Sequence, residues 1–247
     1  MDITTVSLLT ALIFTAALLY SAVGHGGGSG YLAAMAICAI SPAIMKPTAL
    51  TLNILVATIA TVHYYRAGCF SWKLFIWFAI GAVPFAFLGG KMTLPDQIYK
   101  QIVGIILLYA AFRLIFKPKN VVVDEVIQTP AIPLMIGIGI LIGFLSGLTG
   151  VGGGIFLSPL ILLMGWGATR AVSGVSAMFI LVNSIAGLLG KLSSLNDLPA
   201  ALPYWMVAAA IGGWIGSNYG AKQLNINVLQ KILGVVLVIA GVKMIWV

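Results

Sequence analysis

The chain has 247 residues, of which 61% are hydrophobic and only 7% charged, with a mean hydropathy of +1.13. A water-soluble domain carries charge on about a quarter of its residues, so a soluble globular fold is excluded and an all-α polytopic membrane protein is indicated. The net charge of +8, from 13 Lys and Arg against 5 Asp and Glu, reads as anchoring of cytoplasmic loops; with no basic patch interleaved with aromatics, it implies no nucleic-acid partner.

The N-terminus, Met1-Asp2-Ile3-Thr4-Thr5, has no basic region and enters an apolar stretch without a small-residue cleavage pattern, so it is not read as a signal peptide. Its acidic start favours a position outside the cytoplasm. Apolar segments follow at 4–23, 29–41, 48–66, 73–91, 98–116, 131–149, 154–166, 171–190, 200–220 and 227–246. A full span takes about 20 residues, so the second and seventh segments are too short and read as broken or re-entrant pieces. Each starts at a glycine run: Gly24-His25-Gly26-Gly27-Gly28-Ser29-Gly30 and Gly150-Val151-Gly152-Gly153-Gly154. Pro42 after the second segment and Pro159 within the seventh fit the same reading. Cys38 and Cys69 sit in or beside apolar stretches with no CxxC or Cys/His spacing, which indicates neither a disulfide nor a metal site.

The two runs belong to a longer duplication. Gly24 to Gly28 pairs with Gly150 to Gly154 (150 − 24 = 126), Thr58 with Asn183 (183 − 58 = 125) and Arg66 with Lys191 (191 − 66 = 125). The chain therefore divides into a first repeat, 1–117, a linker, 118–130, holding Asp124 and Glu125, and a second repeat, 131–247. Five segments per half is an odd number, which places the halves in opposite orientations, an inverted repeat; if the short pieces do not cross, the repeats are parallel. On the ten-segment reading Arg66, Lys73, Arg113, Lys117, Lys119, Arg170, Lys222 and Lys231 share one side and Lys46, Lys91, Lys100, Lys191 and Lys243 the other. The first set would be cytoplasmic, leaving both termini outside.

Every acidic residue, Asp2, Asp96, Asp124, Glu125 and Asp197, falls at a terminus or loop, so the interior holds no carboxylate for a cation. What it does hold suits an anion. Backbone N–H groups at a helix start carry about half a positive charge and are already oriented, and Gly24, Gly26, Gly27, Gly28, Ser29, Gly150, Gly152, Gly153 and Gly154 would supply them. His25 would add a donor or a proton acceptor. Thr51, Asn53 and Thr58 in the third segment and Ser173, Ser176 and Asn183 in the eighth flank the runs at helical spacing. Lys46, Arg66, Arg170 and Lys191, near segment ends, are possible electrostatic contributors. Each has a plainer role: glycines pack helices closely, polar side chains bond between helices, Lys and Arg snorkel, and His63 beside Tyr64 and Tyr65 is an interfacial belt residue.

The doubled GxGGG run, the Lys46-Pro47-Thr48-Ala49-Leu50-Thr51 and Arg170-Ala171-Val172-Ser173-Gly174-Val175-Ser176 stretches, and Asn183-Ser184-Ile185-Ala186-Gly187 resemble the sulfite exporter TauE/SafE family over nearly the whole chain. The resemblance implies a multi-pass protein that moves small anions, especially sulfite, organosulfonates or sulfur-containing organic acids, across the cytoplasmic membrane; no cofactor or metal is expected, and a coupling proton or ion is a possible partner. Departures from it are His25 in the first run and Pro159 in the second half only. Two other classes stay open. Gly27-Gly28-Ser29-Gly30 fits the GxSG pattern of an intramembrane serine protease, but the paired Gly152-Gly153-Gly154-Ile155 keeps the glycines and loses the serine; a non-transporting membrane scaffold is the third.

Overall fold

The computed structural model of the protein describes residues 2–115, 130–222 and 227–246. They form ten α-helices and one short 3-10 turn: α1 (Ile3–Ser21), α2 (Gly28–Ile37), α3 (Pro42–Arg66), α4 (Trp72–Lys91), α5 (Asp96–Ile115), α6 (Ile132–Thr149), α7 (Gly154–Leu163), α8 (Thr169–Gly190), α9 (Leu202–Lys222) and α10 (Asn227–Trp246). Of these, α1, α3, α4, α6 and α8 are each long and apolar enough to cross a membrane. The two ten-residue helices, α2 and α7, rise about 15 Å, half of a hydrocarbon core. Apart from Pro130, the expected linker lies outside the described residues.

One boundary differs from the sequence reading by six residues. α3 begins at Pro42, not at Thr48, and carries Lys46 and Pro47 inside it. Pro42 occupies the first turn, where a missing N–H costs nothing because no intrahelical acceptor exists there, and the N–H groups of Ile44 and Met45 both turn back to the Ser41 carbonyl. Pro47 then forfeits a single bond to the Ala43 carbonyl, which the rest of a 25-residue helix outweighs.

The helices meet through small residues. Gly139, Gly143 and Gly147 of α6 press on the carbonyls of Phe78, Ala82 and Ala86 of α4; Gly212, Gly216 and Gly220 of α9 press on those of Phe14, Leu18 and Ala22. In both series the two chains advance together by four, so α4 lies parallel to α6 and α1 to α9. Exchanging the halves turns α4 into α9 and α6 into α1, which makes the two pairs one contact formed twice. Between them α3 crosses α8 in the opposite sense: Leu50 lies against Gly187, and Tyr64 against Gly174. A two-fold relation between antiparallel helices runs across their axes, which is the arrangement of an inverted repeat.

Lysines close helix ends. The Lys46 ammonium donates to the carbonyls of Gly89, Gly90 and Met92 at 3.2, 3.0 and 3.2 Å, and Lys243 to the Ile37 carbonyl at 2.8 Å. Both place a cation where the helix dipole is negative and where carbonyls lack intrahelical partners.

Candidate functional site

Each short helix begins from a glycine whose backbone no L side chain adopts without strain. Gly27 (φ +100°) caps α2 and Gly153 (φ +84°) caps α7, 126 residues apart (153 − 27). Upstream, α1 closes with the His25 N–H on the Tyr20 carbonyl at 2.9 Å, and α6 with the Gly150 N–H on the Ser146 carbonyl at 2.8 Å. Downstream, the first helical bonds run from Tyr31 to the Gly27 carbonyl, and from Phe156 and Leu157 to the Gly153 carbonyl. The N–H groups of Gly28, Ser29 and Gly30, and of Gly154 and Ile155, come before those bonds and have no acceptor in their own helices.

The runs meet at the crossing of α3 and α8. A Cβ on Gly26 would sit 2.9 Å from Ile180 Cγ2, and one on Gly152 2.8 Å from the same atom; Gly28 abuts the Val151 carbonyl. Asn53, from α3, reaches both runs. Its Nδ2 donates to the Gly150 and Val151 carbonyls at 3.3 Å each, while its Oδ1 lies 2.9 Å from the Cβ position of Gly26. The neighbours of Asn53 in the first half, Gly26 and Gly28, match those of Ile180 in the second, Gly152 and Gly154. Asn53 and Ile180 are thus equivalents at an offset of 127 (180 − 53), and the pairing of Thr58 with Asn183 was two residues out of register.

On α3, α6 and α8, the helices that enter or cross the runs, buried polar groups are under-satisfied. Among the described residues, Asn53 Oδ1, both amide atoms of Asn183, and the hydroxyls of Ser184, Ser146 and Thr48 have no hydrogen-bond partner, and all five side chains are fully buried. Each such group costs about 1–3 kcal/mol, and natural folds retain few without a reason. Ser184 Oγ lies 3.4 Å from the Cβ position of Gly152, and Ser146 lines Gly153.

The other expected site residues divide. Ser176 pairs with Ser158 across α7 and α8, and Gly154 lies near its carbonyl. Gly24 abuts the Ser173 backbone and Gly150 the Lys46 backbone, so the outer ends of the runs sit against the first turns of α8 and α3. Thr51, Thr58 and Ser173 turn their hydroxyls onto their own helices, at the carbonyls of Pro47, Ile54 and Thr169, and Thr58 is exposed. Arg66 and Arg170 are exposed at helix ends. Lys46 is a helix cap, and Lys191 donates to Thr93 Oγ1 at 2.9 Å beside a cavity of about 90 Å³ that Lys46 also lines. His25 is half-buried, its Nδ1–H donating to the Val23 carbonyl at 3.1 Å and its ring edge-on to Tyr20. Ser29 donates to the Tyr20 hydroxyl at 2.7 Å, so its hydroxyl serves a structural bond and not a base. Tyr31 donates to the Gly26 carbonyl at 2.7 Å and braces the first run. The His63 Nδ1 meets Ser217 Oγ at 2.7 Å; that hydroxyl donates onward to the Gly213 carbonyl, so His63 is the donor.

Thr48, Ser146, Ser158 and Ser184 were not among the expected site residues. The available signal was spacing: Ser146 lies four residues before Gly150, Ser158 four after Gly154, and Ser184 adjoins Asn183.

A family model described as "Sulfite exporter TauE/SafE" matches residues 9–244. The chain belongs to the TauE/SafE family. It is 40% identical over 240 residues to "Probable membrane transporter protein y4hK" of Sinorhizobium fredii, covering 96% of this chain and 97% of that one. It is 25% identical over 258 residues to "Probable membrane transporter protein YjnA" of Bacillus subtilis, covering 97% and 99%. No solved structure matches. A TauE/SafE member with this helix set is a multi-pass membrane transporter.

Proposed function

We propose that this TauE/SafE protein exports a small anion, sulfite or a sulfonate-like acid, across the cytoplasmic membrane by alternating access, with the two glycine runs as a single shared site. The observation that carries the reading is Asn53, a fully buried side chain of the first half tied to the carbonyls of the second run. It joins two helix N-termini, each worth about half a positive charge, where a buried Lys or Arg would cost roughly 2.5–3.5 kcal/mol or more. Two such ends attract a monoanion and still release it. Rocking one half against the other about the α3–α8 crossing would open the site to each side in turn.

The test uses purified protein in vesicles loaded with sulfite, an organosulfonate or a chloride control. Saturable sulfite or sulfonate efflux should appear, and Asn183→Leu, which deletes two unpartnered atoms without changing volume much, should abolish it in a folded protein. Efflux unchanged in that variant would move the site elsewhere.

A further inference from the structure

Asn53 makes a demand on whatever binds. Its orientation is fixed, because only the amide nitrogen can face two carbonyls, those of Gly150 and Val151. The oxygen is therefore left pointing at the first run, 2.9 Å from the Cβ position of Gly26, fully buried and without a partner among the described residues. That oxygen is an acceptor only. An anion that offers nothing but lone pairs would set oxygen against oxygen there, while its remaining oxygens met the N–H groups of Gly28, Ser29, Gly154 and Ile155. We infer that the ligand of this site is a monoanionic oxyanion that keeps one O–H or N–H, its negative oxygens on the two helix N-termini and its proton on Asn53 Oδ1.

The inference rests on the anion reading above and narrows it. Charge points the same way as the hydrogen bond, since two helix ends supply nearly one positive charge and match one negative charge better than two. Rejection of acceptor-only analogues is the stronger form of selectivity, because a buried polar group left unpaired is costly where a missing apolar contact is not.

The experiment is thermal stabilisation of the purified protein at one fixed pH at which sulfite is largely monoprotonated. The ligands are hydrogen sulfite, 2-hydroxyethanesulfonate, methanesulfonate, sulfate and, separately, sodium as chloride. Methanesulfonate has the same three-oxygen head and charge as hydrogen sulfite but no acidic or hydroxyl proton. Hydrogen sulfite should bind at least tenfold tighter than methanesulfonate, and 2-hydroxyethanesulfonate should regain part of the difference. Sulfate should be the weakest. Asn53→Leu should erase the preference, and Ser184→Ala should weaken both monoanions while keeping it; if Asn53→Leu does not fold, the ligand series on the unaltered protein decides alone. Equal binding of hydrogen sulfite and methanesulfonate overturns the inference and leaves the anion site standing. Binding of none of the anions overturns both. Stabilisation by sodium chloride equal to that by the sulfite salt also overturns it, because the orphan oxygen would then be a cation ligand.

Discussion

Glycine serves two purposes in this chain, and the α4–α6 contact and the two glycine runs set them side by side. Along α4 and α6, Gly139, Gly143 and Gly147 each lie directly on a carbonyl of the facing helix, leaving no room for a methyl group. At the runs, Cβ positions on Gly26, Gly152 and Gly153 would first meet side-chain atoms, at 2.9, 2.8 and 3.0 Å, and the neighbours include Asn53 and Ser184, whose Oδ1 and Oγ lack partners among the described residues. Close packing alone accounts for the first region. It does not account for the second, where a seam built only for packing would have been lined with alanine and leucine at lower cost. Between these two regions the difference lies in the unpaired polar atoms beside the glycines, not in glycine content.

The largest expected effect breaks the seam. Gly147→Ala places a Cβ into the Ala86 carbonyl, and overpacking against backbone that cannot move aside should cost about 3 kcal/mol or more, seen as loss of monodisperse protein or a large fall in melting temperature. Asn183→Leu should act in the opposite direction. Removing two unpartnered buried atoms should raise unliganded stability by about 1–3 kcal/mol, measured by denaturant unfolding, while anion-induced stabilisation disappears. A loss of stability instead would mean that Asn183 holds the fold together and would weaken the distinction between the regions.

Lys46→Met sharpens the comparison by removing a cation that is near the second run and still structural. Freeing the carbonyls of Gly89, Gly90 and Met92 should cost about 1–2 kcal/mol, with anion affinity changed less than threefold by titration. The smallest effect belongs to Thr58→Val. The Thr58 side chain is exposed and bonded to its own helix, so stability should stay within about 0.5 kcal/mol and efflux should be unchanged.

Much of this was readable before the structure. Short helices beginning at glycine runs follow from length and φ preference, and α2 and α7 start at Gly28 and Gly154. The candidate site was only partly legible. Asn53 was on the expected list as one of several flanking polar residues; its bond to the second run, 97 and 98 residues away, depends on how two antiparallel helices cross. Neither segment records that angle. Thr58 and Asn183 were matched by counting between similar polar residues, whereas the packing matches Asn53 with apolar Ile180, an equivalence that residue type conceals. Ser146 and Ser184 look like ordinary small residues of a membrane helix until their neighbours leave their hydroxyls unbonded. Lys46 read as a possible electrostatic contributor because it is a cation near a segment end; the acceptors it found are the carbonyls at the end of α4.

The central claim is that the two runs make one site and not two. Calorimetric titration of the purified protein with hydrogen sulfite measures this directly, on the unaltered chain and on Asn53→Leu and Ser184→Ala, one substitution from each half. One anion per chain, with affinity reduced by both substitutions, is the predicted result. Two anions per chain, or one whose affinity responds to only one of the two halves, would contradict it.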